Sequence, residues 1–81
     1  MNNEIQKYSD ESSVVILLDY ETESEQQYTI SSKNYNGIIT PTEFVKLEEF
    51  FDSLIRSMGY HKEDYILIVD TYKYQVQVSF L

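Results

Sequence analysis

The residues of this chain that could do chemistry are its carboxylates. Its 81 residues include 14 Asp and Glu against 6 Lys and Arg, a net charge of −8. No basic residue lies between Lys7 and Lys33. That stretch contains six carboxylates, namely Asp10, Glu11, Asp19, Glu21, Glu23 and Glu25. A second cluster follows at Glu48, Glu49 and Asp52. Because binding to phosphates needs Lys and Arg, the balance of charge excludes direct binding to nucleic acid or to anionic membranes.

Three of these carboxylates, Glu21, Glu23 and Glu25, occupy every second position. They lie in the polar connection that forms the acidic tip of a predicted hairpin, and if that segment is extended, carboxylates on the same side repeat at roughly 6.5–7 Å. The hairpin would then present a curved row of anions that resembles a phosphate backbone in kind. The alternative is a solvated acidic surface that only maintains solubility. Segregation favours a functional surface, because solubility does not require 25 consecutive residues without Lys or Arg.

Enzymatic chemistry has little support in the sequence. The single histidine, His61, is predicted to lie in an exposed loop, and there is no cysteine. Gly37 and Gly59 are isolated, so no glycine-rich phosphate loop exists. The acidic segment lacks the glycine and the final glutamate of a calcium-binding loop. We therefore expect no enzymatic activity, no metal and no cofactor.

Tyrosine is the other abundant residue type, with eight in the chain. Its large apolar ring and polar tip make it frequent in binding surfaces. Tyr20, Tyr35 and Tyr72 lie near predicted turns and are expected to be exposed. Tyr28 and Tyr74 lie within predicted strands and are expected to pack against neighbouring strands.

The secondary structure predicted around these side chains forms one domain, 1–81. Residues 1–13 are predicted to be a polar, mostly irregular arm. Residues 14–32 form a hairpin, with a continuously apolar strand at 14–20 and an alternating strand at 26–32. Thr40, Pro41 and Glu43 have the pattern of a capping box and predict a helix over 41–58, which Gly59 terminates. A second hairpin occupies 65–81.

The order of elements predicts an α+β fold, ββαββ, with a four-stranded antiparallel sheet and one helix packed on one face. Strands 14–20 and 65–70 are apolar on both faces and are placed centrally, which gives the strand order 2-1-3-4. The uncovered face would expose Val15, Leu17, Ile66 and Ile68, or their alternates, as a dimer or partner surface. Alternatively, the N-terminal arm folds over that face.

No apolar run approaches the roughly 20 residues of a membrane span, and no signal-peptide pattern begins the chain. With the absence of cysteine, these features predict a cytoplasmic protein, in the host cytosol if a phage encodes it.

A short, cysteine-free, acidic, tyrosine-rich αβ chain is similar in character to the small inhibitors of phages and mobile elements. These include anti-CRISPR proteins, inhibitors of uracil-DNA glycosylase and the immunity proteins of nuclease toxins, many of which mimic DNA. The resemblance is one of general character without a shared motif. It implies a non-enzymatic inhibitor, first of all an anti-CRISPR protein, that binds the positive groove of a nuclease or CRISPR effector. An immunity protein or a repair-enzyme inhibitor is the next interpretation.

The residues expected to bind that partner are Asp10, Glu11, Asp19, Tyr20, Glu21, Glu23, Glu25, Glu48, Glu49 and Asp52. An interpretation of a different class is a homodimeric structural or adaptor protein that uses the open face of its sheet.

Overall fold

The computed structural model describes residues 2–81, apart from the side chain of Asn2. Two helices and four strands follow one another as α1 (Asn2–Glu11), β1 (Val14–Glu21), β2 (Glu25–Ser32), α2 (Pro41–Ser57), β3 (Tyr65–Asp70) and β4 (Gln75–Phe80), with a short 3-10 turn at Lys62–Asp64 before β3. The predicted α+β class and four-stranded antiparallel sheet are confirmed. No helix in this part of the chain is both long and apolar enough to cross a membrane.

Helix α2 begins and ends as its sequence predicts. The Thr40 hydroxyl accepts a hydrogen bond from the backbone N–H of Glu43 at 3.3 Å, and the Glu43 carboxylate accepts one from the N–H of Thr40 at 2.9 Å. The hydroxyl of Ser13, just before β1, also donates to Glu43. These bonds, Ser13's first, lower the pKa of Glu43. Gly59 follows the helix with φ +99°, a backbone conformation that L side chains rarely adopt.

The predicted strand order is wrong. The sheet has the order β1-β2-β4-β3, so the alternating strands β2 and β4 are central and the doubly apolar strands β1 and β3 are edges. Both hairpins are present, but they join through β2 and β4. Since β4 is antiparallel to both neighbours, β2 and β3 run parallel to each other with β4 between them.

The physical reason lies in what each face contacts. Four large apolar side chains of the central strands face the two helices and are almost fully buried, namely Tyr28, Ile30, Val76 and Val78. Phe80, which ends β4, is partly buried and packs against this core. Their other faces carry amides and hydroxyls, which need no apolar cover. Strands β1 and β3 have a second apolar set, but it is exposed rather than covered. Apolar residues on both faces of a strand therefore did not indicate a central position.

The predicted irregular arm is also wrong, because residues 2–11 form helix α1. Met1 lies outside the described residues. Ile5 enters the core, and the ring of Tyr8 stacks on Phe50 of α2 with centroids 4.3 Å apart. Helix α1 thus packs on the same face of the sheet as α2. It does not fold over the other face, which we call the open face.

Candidate functional site

The β1–β2 hairpin reverses the chain at residues 22–24, within the predicted row of glutamates. The Thr22 hydroxyl accepts from the N–H of Glu25 at 3.0 Å, and the N–H of Thr22 donates to the carbonyl of Glu25 at 2.7 Å. Glu21 ends β1, Glu23 lies at the turn and Glu25 begins β2. The three carboxylates thus lie at the tip of the hairpin, as predicted, but the chain reverses there, so they do not have the regular spacing of an extended segment.

A β-bulge in β1 brings a fourth carboxylate to the same end of the sheet. The register with β2 shifts between Leu18 and Tyr20, which leaves Asp19 as the extra residue. The carboxylate of Asp19 accepts from the Thr29 hydroxyl at 2.6 Å and from the Gln27 amide at 3.4 Å. Asp19 is therefore held on the open face by side chains of the neighbouring strand.

Glu25 is held on that face by two further side chains. The hydroxyl of Tyr20 donates to its carboxylate at 2.9 Å, and the Gln77 amide of β4 donates to the same oxygen. The bond to Glu25 is the largest cause that raises the pKa of Tyr20. The ring of Tyr20 is 41% exposed, so it is both anchored and accessible.

The hairpin surface is the set Asp19, Tyr20, Glu21, Glu23 and Glu25. Within residues 2–81, none of its four carboxylates lies within 4.0 Å of a Lys or Arg nitrogen; an ion pair does join Asp52 and Arg56, at 3.6 Å. Glu21 accepts from the Gln26 amide at 2.8 Å, whereas Glu23 projects from the exposed turn. Five of the predicted site residues therefore lie at one hairpin, with Asp19, Tyr20 and Glu25 on the open face and Glu21 on the side of the helices. In the part of the chain that the structure describes, no Lys or Arg is paired with them.

The other predicted site residues lie elsewhere. Asp10 and Glu11 end helix α1 beside the start of β1, and the length of that strand separates them from the hairpin turn by about 23 Å. Glu48, Glu49 and Asp52 lie on α2, which packs on the opposite face of the sheet. Asp52 accepts from the hydroxyl of Tyr65 and pairs with Arg56. The predicted acidic surface is thus three separate groups.

The open face adjoins the hairpin surface. Its centre is a strip of amides and hydroxyls from β2 and β4, namely Gln27, Thr29, Gln75, Gln77 and Ser79. Apolar side chains flank this strip, with Leu17 of β1 on one side and Ile66 and Ile68 of β3 on the other, each about half exposed. Of the apolar set predicted to be uncovered, Leu17, Ile66 and Ile68 are exposed, whereas Val15 is half-buried.

The tyrosines predicted to be exposed are exposed, but not in one place. Tyr35 and Tyr72 are fully exposed at the end of the sheet opposite to the hairpin turn, and only Tyr20 belongs to the hairpin surface. Tyr28 is buried against Phe51, and Tyr74 packs edge-on against Phe44.

Neither the bulge at Asp19 nor the hydrogen bonds that fix Asp19 and Glu25 could be predicted from the pattern of residues. In the sequence, the hydrogen-bond partners Thr29 and Gln77 appear only as polar positions of strands in which polar and apolar residues alternate. Across residues 2–81, no group of three His, Asp or Glu side chains is arranged to hold a metal ion.

Comparison of the chain with protein-family models, with curated proteins and with solved structures finds no match.

Proposed function

We propose that this protein is a non-enzymatic inhibitor that binds the positive nucleic-acid groove of a nuclease or CRISPR effector as a DNA mimic, first of all as an anti-CRISPR protein. The observation that carries the proposal is the hairpin surface, where Asp19 and Glu25 lie beside an anchored tyrosine on the open face and Glu21 and Glu23 lie at the same hairpin. Within residues 2–81, no Lys or Arg forms an ion pair with these four carboxylates. A groove that binds phosphates offers the complementary charge.

The fixed positions of Asp19 and Glu25 support this proposal. Each carboxylate accepts two side-chain hydrogen bonds within the sheet, so its position is set before any partner arrives. Preorganised groups lose less conformational entropy on binding than flexible ones. Tyr20 supplies an aromatic ring among the charges, and Leu17 supplies apolar area on the adjoining open face.

The test is displacement of DNA. A fluorescent duplex is bound in turn to a guide-loaded Cas nuclease, a uracil-DNA glycosylase and a nuclease toxin domain, and the protein is titrated in. We expect displacement from one of the three classes. That class then identifies the protein as an anti-CRISPR protein, a repair-enzyme inhibitor or an immunity protein.

Two variants locate the binding surface. Glu23→Lys reverses a charge that makes none of the hydrogen bonds described above, and Glu21→Lys combined with it reverses two. Asp19 and Glu25 are left unchanged because each accepts two side-chain hydrogen bonds within the sheet, whereas Glu21 accepts one, from Gln26. We expect the concentration needed for displacement to rise by about tenfold or more, since each reversal turns an attraction into a repulsion.

The control is Glu63→Lys, an equal change of charge at an exposed residue of the 3-10 turn outside the hairpin surface. It should displace DNA like the original protein. If Glu23→Lys and the double variant also do so while remaining folded by circular dichroism, the hairpin surface does not bind the target.

A homodimer through the open face is the second candidate, favoured by the exposure of Leu17, Ile66 and Ile68. Two copies packed face to face would bring Asp19 and Glu25 of each together with no cation from the face itself, which opposes association. Sedimentation of the protein at micromolar concentration distinguishes the two candidate functions. A monomer excludes the homodimer, whereas a dimer that dissociates in the Leu17→Lys variant supports it.

A further inference from the structure

The sheet has two edge strands, and the edge of β1 is protected. The Ser9 hydroxyl of α1 accepts from the N–H of Ile16 at 3.2 Å and donates to the carbonyl of Val14 at 3.5 Å. Ser9 thus occupies the backbone groups to which another strand would bind. The bulge at Asp19 disrupts the remainder of this edge, as bulges commonly do where a sheet must not extend.

The edge of β3 has no such protection. The N–H of Leu81 donates to the carbonyl of Asp64 at 2.9 Å, and the antiparallel register then pairs Ile66 and Ile68 with β4 by backbone hydrogen bonds. By this alternation, the N–H and C=O groups of Tyr65, Leu67 and Val69 point away from the sheet. Within residues 2–81, no side chain hydrogen-bonds to them.

A groove between α2 and β3 runs beside this edge. One lobe, of about 430 Å³, is mainly apolar and is lined by Phe44, Val45 and Val69 among others. The next lobe, of about 280 Å³, is lined by Glu49, Asp52, Tyr65 and Leu67, with Lys62 also present. Glu48 lines both lobes, so the two lie side by side.

We propose that the edge of β3 binds an extended segment of a partner protein as a fifth strand, with an apolar side chain in the first lobe and a Lys or Arg in the second. Residues of the added strand that bond to Leu67 and Val69 would direct their side chains to the groove, because directly opposed residues share a face. Side chains two positions apart on such a strand are separated by about 6.5–7 Å, which matches lobes beside adjacent outward residues.

The carboxylates that line the groove favour a basic segment of another protein over a second copy of this chain. Strand β3 contains no Lys or Arg, so a second copy would offer nothing to Glu48, Glu49 and Asp52. It would also bring its own three carboxylates beside them, which is unfavourable. A partner segment with a cation two residues from an apolar residue has the complementary pattern. This site is separate from the hairpin surface, and it does not depend on the function proposed above.

The experiment uses the whole chain and a capped synthetic peptide, Thr-Arg-Thr-Leu-Thr-Arg-Thr. The sequence of this peptide is the same in both directions. It can therefore present Leu and Arg to the groove whether it adds parallel or antiparallel to β3. Two control peptides replace Arg by Glu, or methylate the backbone nitrogen of Leu. Binding is followed by the amide resonances of the protein. We expect saturable shifts at Leu67 and Val69 and slower hydrogen exchange of their N–H groups, because these groups gain acceptors.

Both control peptides should bind at least about tenfold more weakly, since one loses the charge complement and the other a ladder hydrogen bond. The substitution Glu48→Lys in the protein should weaken binding of the Arg peptide by a similar factor, whereas Glu63→Lys should leave that binding unchanged. The proposal is overturned by equal binding of the Arg and Glu peptides, or by shifts that avoid β3. A dimer that Leu67→Lys dissociates would assign the edge to a second copy instead. Loss of DNA displacement in Glu23→Lys has no bearing on these results.

Discussion

Two tyrosines illustrate how single side chains link this fold to pH. Burial, and then the charge of Glu21, raises the pKa of Tyr28 to about 12. Burial, and then the hydrogen bond that its hydroxyl donates to Asp52, raises the pKa of Tyr65 to about 12. Both side chains are therefore neutral in the folded protein at a pH where an unfolded chain would have ionised them.

The direction of the resulting stability change follows from linkage. The folded pKa lies above the unfolded value of 10.0, so the stabilisation is complete below pH 10. It is lost as the pH rises towards 12, because the unfolded chain releases these protons first. We expect the free energy of unfolding in urea to fall steeply over that interval, with a shallower fall in Tyr65→Phe. A flat profile in the original chain would contradict the burial of both hydroxyls.

At the scale of elements, the two faces of the sheet differ in what they contribute to stability. Leu47 of α2 is fully buried among the residues packed between helices and sheet, whereas Leu17 of β1 is 56% exposed on the open face. The same substitution at the two sites therefore compares a core position with a surface position.

Leu47→Ala should lower the free energy of unfolding by about 2–5 kcal/mol, because it removes transfer energy and leaves a cavity. Leu17→Ala should change it by only about 0.5 kcal/mol. Urea unfolding of both variants provides the measurement. Comparable losses at the two positions would mean that the open face is covered in solution, by a second copy or by another part of the chain.

Helix α2 could be predicted from the sequence because its ends are determined locally. The capping box of Thr40 and Glu43 and the termination at Gly59 involve neighbours along the chain, which a sequence displays directly. The hairpins were predictable for the same reason, since alternation and turn residues lie within each.

The strand order and helix α1 depend on distant residues instead. Hydrophobic periodicity indicates which faces of a strand are apolar, but not which strand pairs on both sides. Helix α1 offers only Ile5 and Tyr8 to the core, and its stacking on Phe50 and the bonds of Ser9 to β1 appear only after the chain has folded. The candidate site shares this property, because the partners of Asp19 and Glu25 come from β2 and β4.

On the scale of the whole molecule, the positions of the negative charges are more informative than the net charge, because they give the surfaces different chemistry. The carboxylates predicted to bind a partner form three groups, at the hairpin turn, at the end of α1 and along α2, and the hairpin group combines carboxylates with an exposed aromatic ring. The groove beside β3 uses the α2 group. The two surfaces thus differ in chemistry, and we propose a phosphate-binding groove as the partner of the first and an extended basic segment as the partner of the second.

The dependence of binding on salt concentration tests whether the hairpin surface acts as a DNA mimic. The dissociation constant for the target identified by DNA displacement is measured from low to physiological salt, for the original chain and for Glu23→Lys. If the hairpin surface replaces phosphates, affinity should fall by about tenfold or more over that range, because long-range attraction between the two surfaces is screened. The fall should be smaller in Glu23→Lys. An affinity independent of salt, equal in both proteins, would contradict a DNA mimic and indicate an apolar interface.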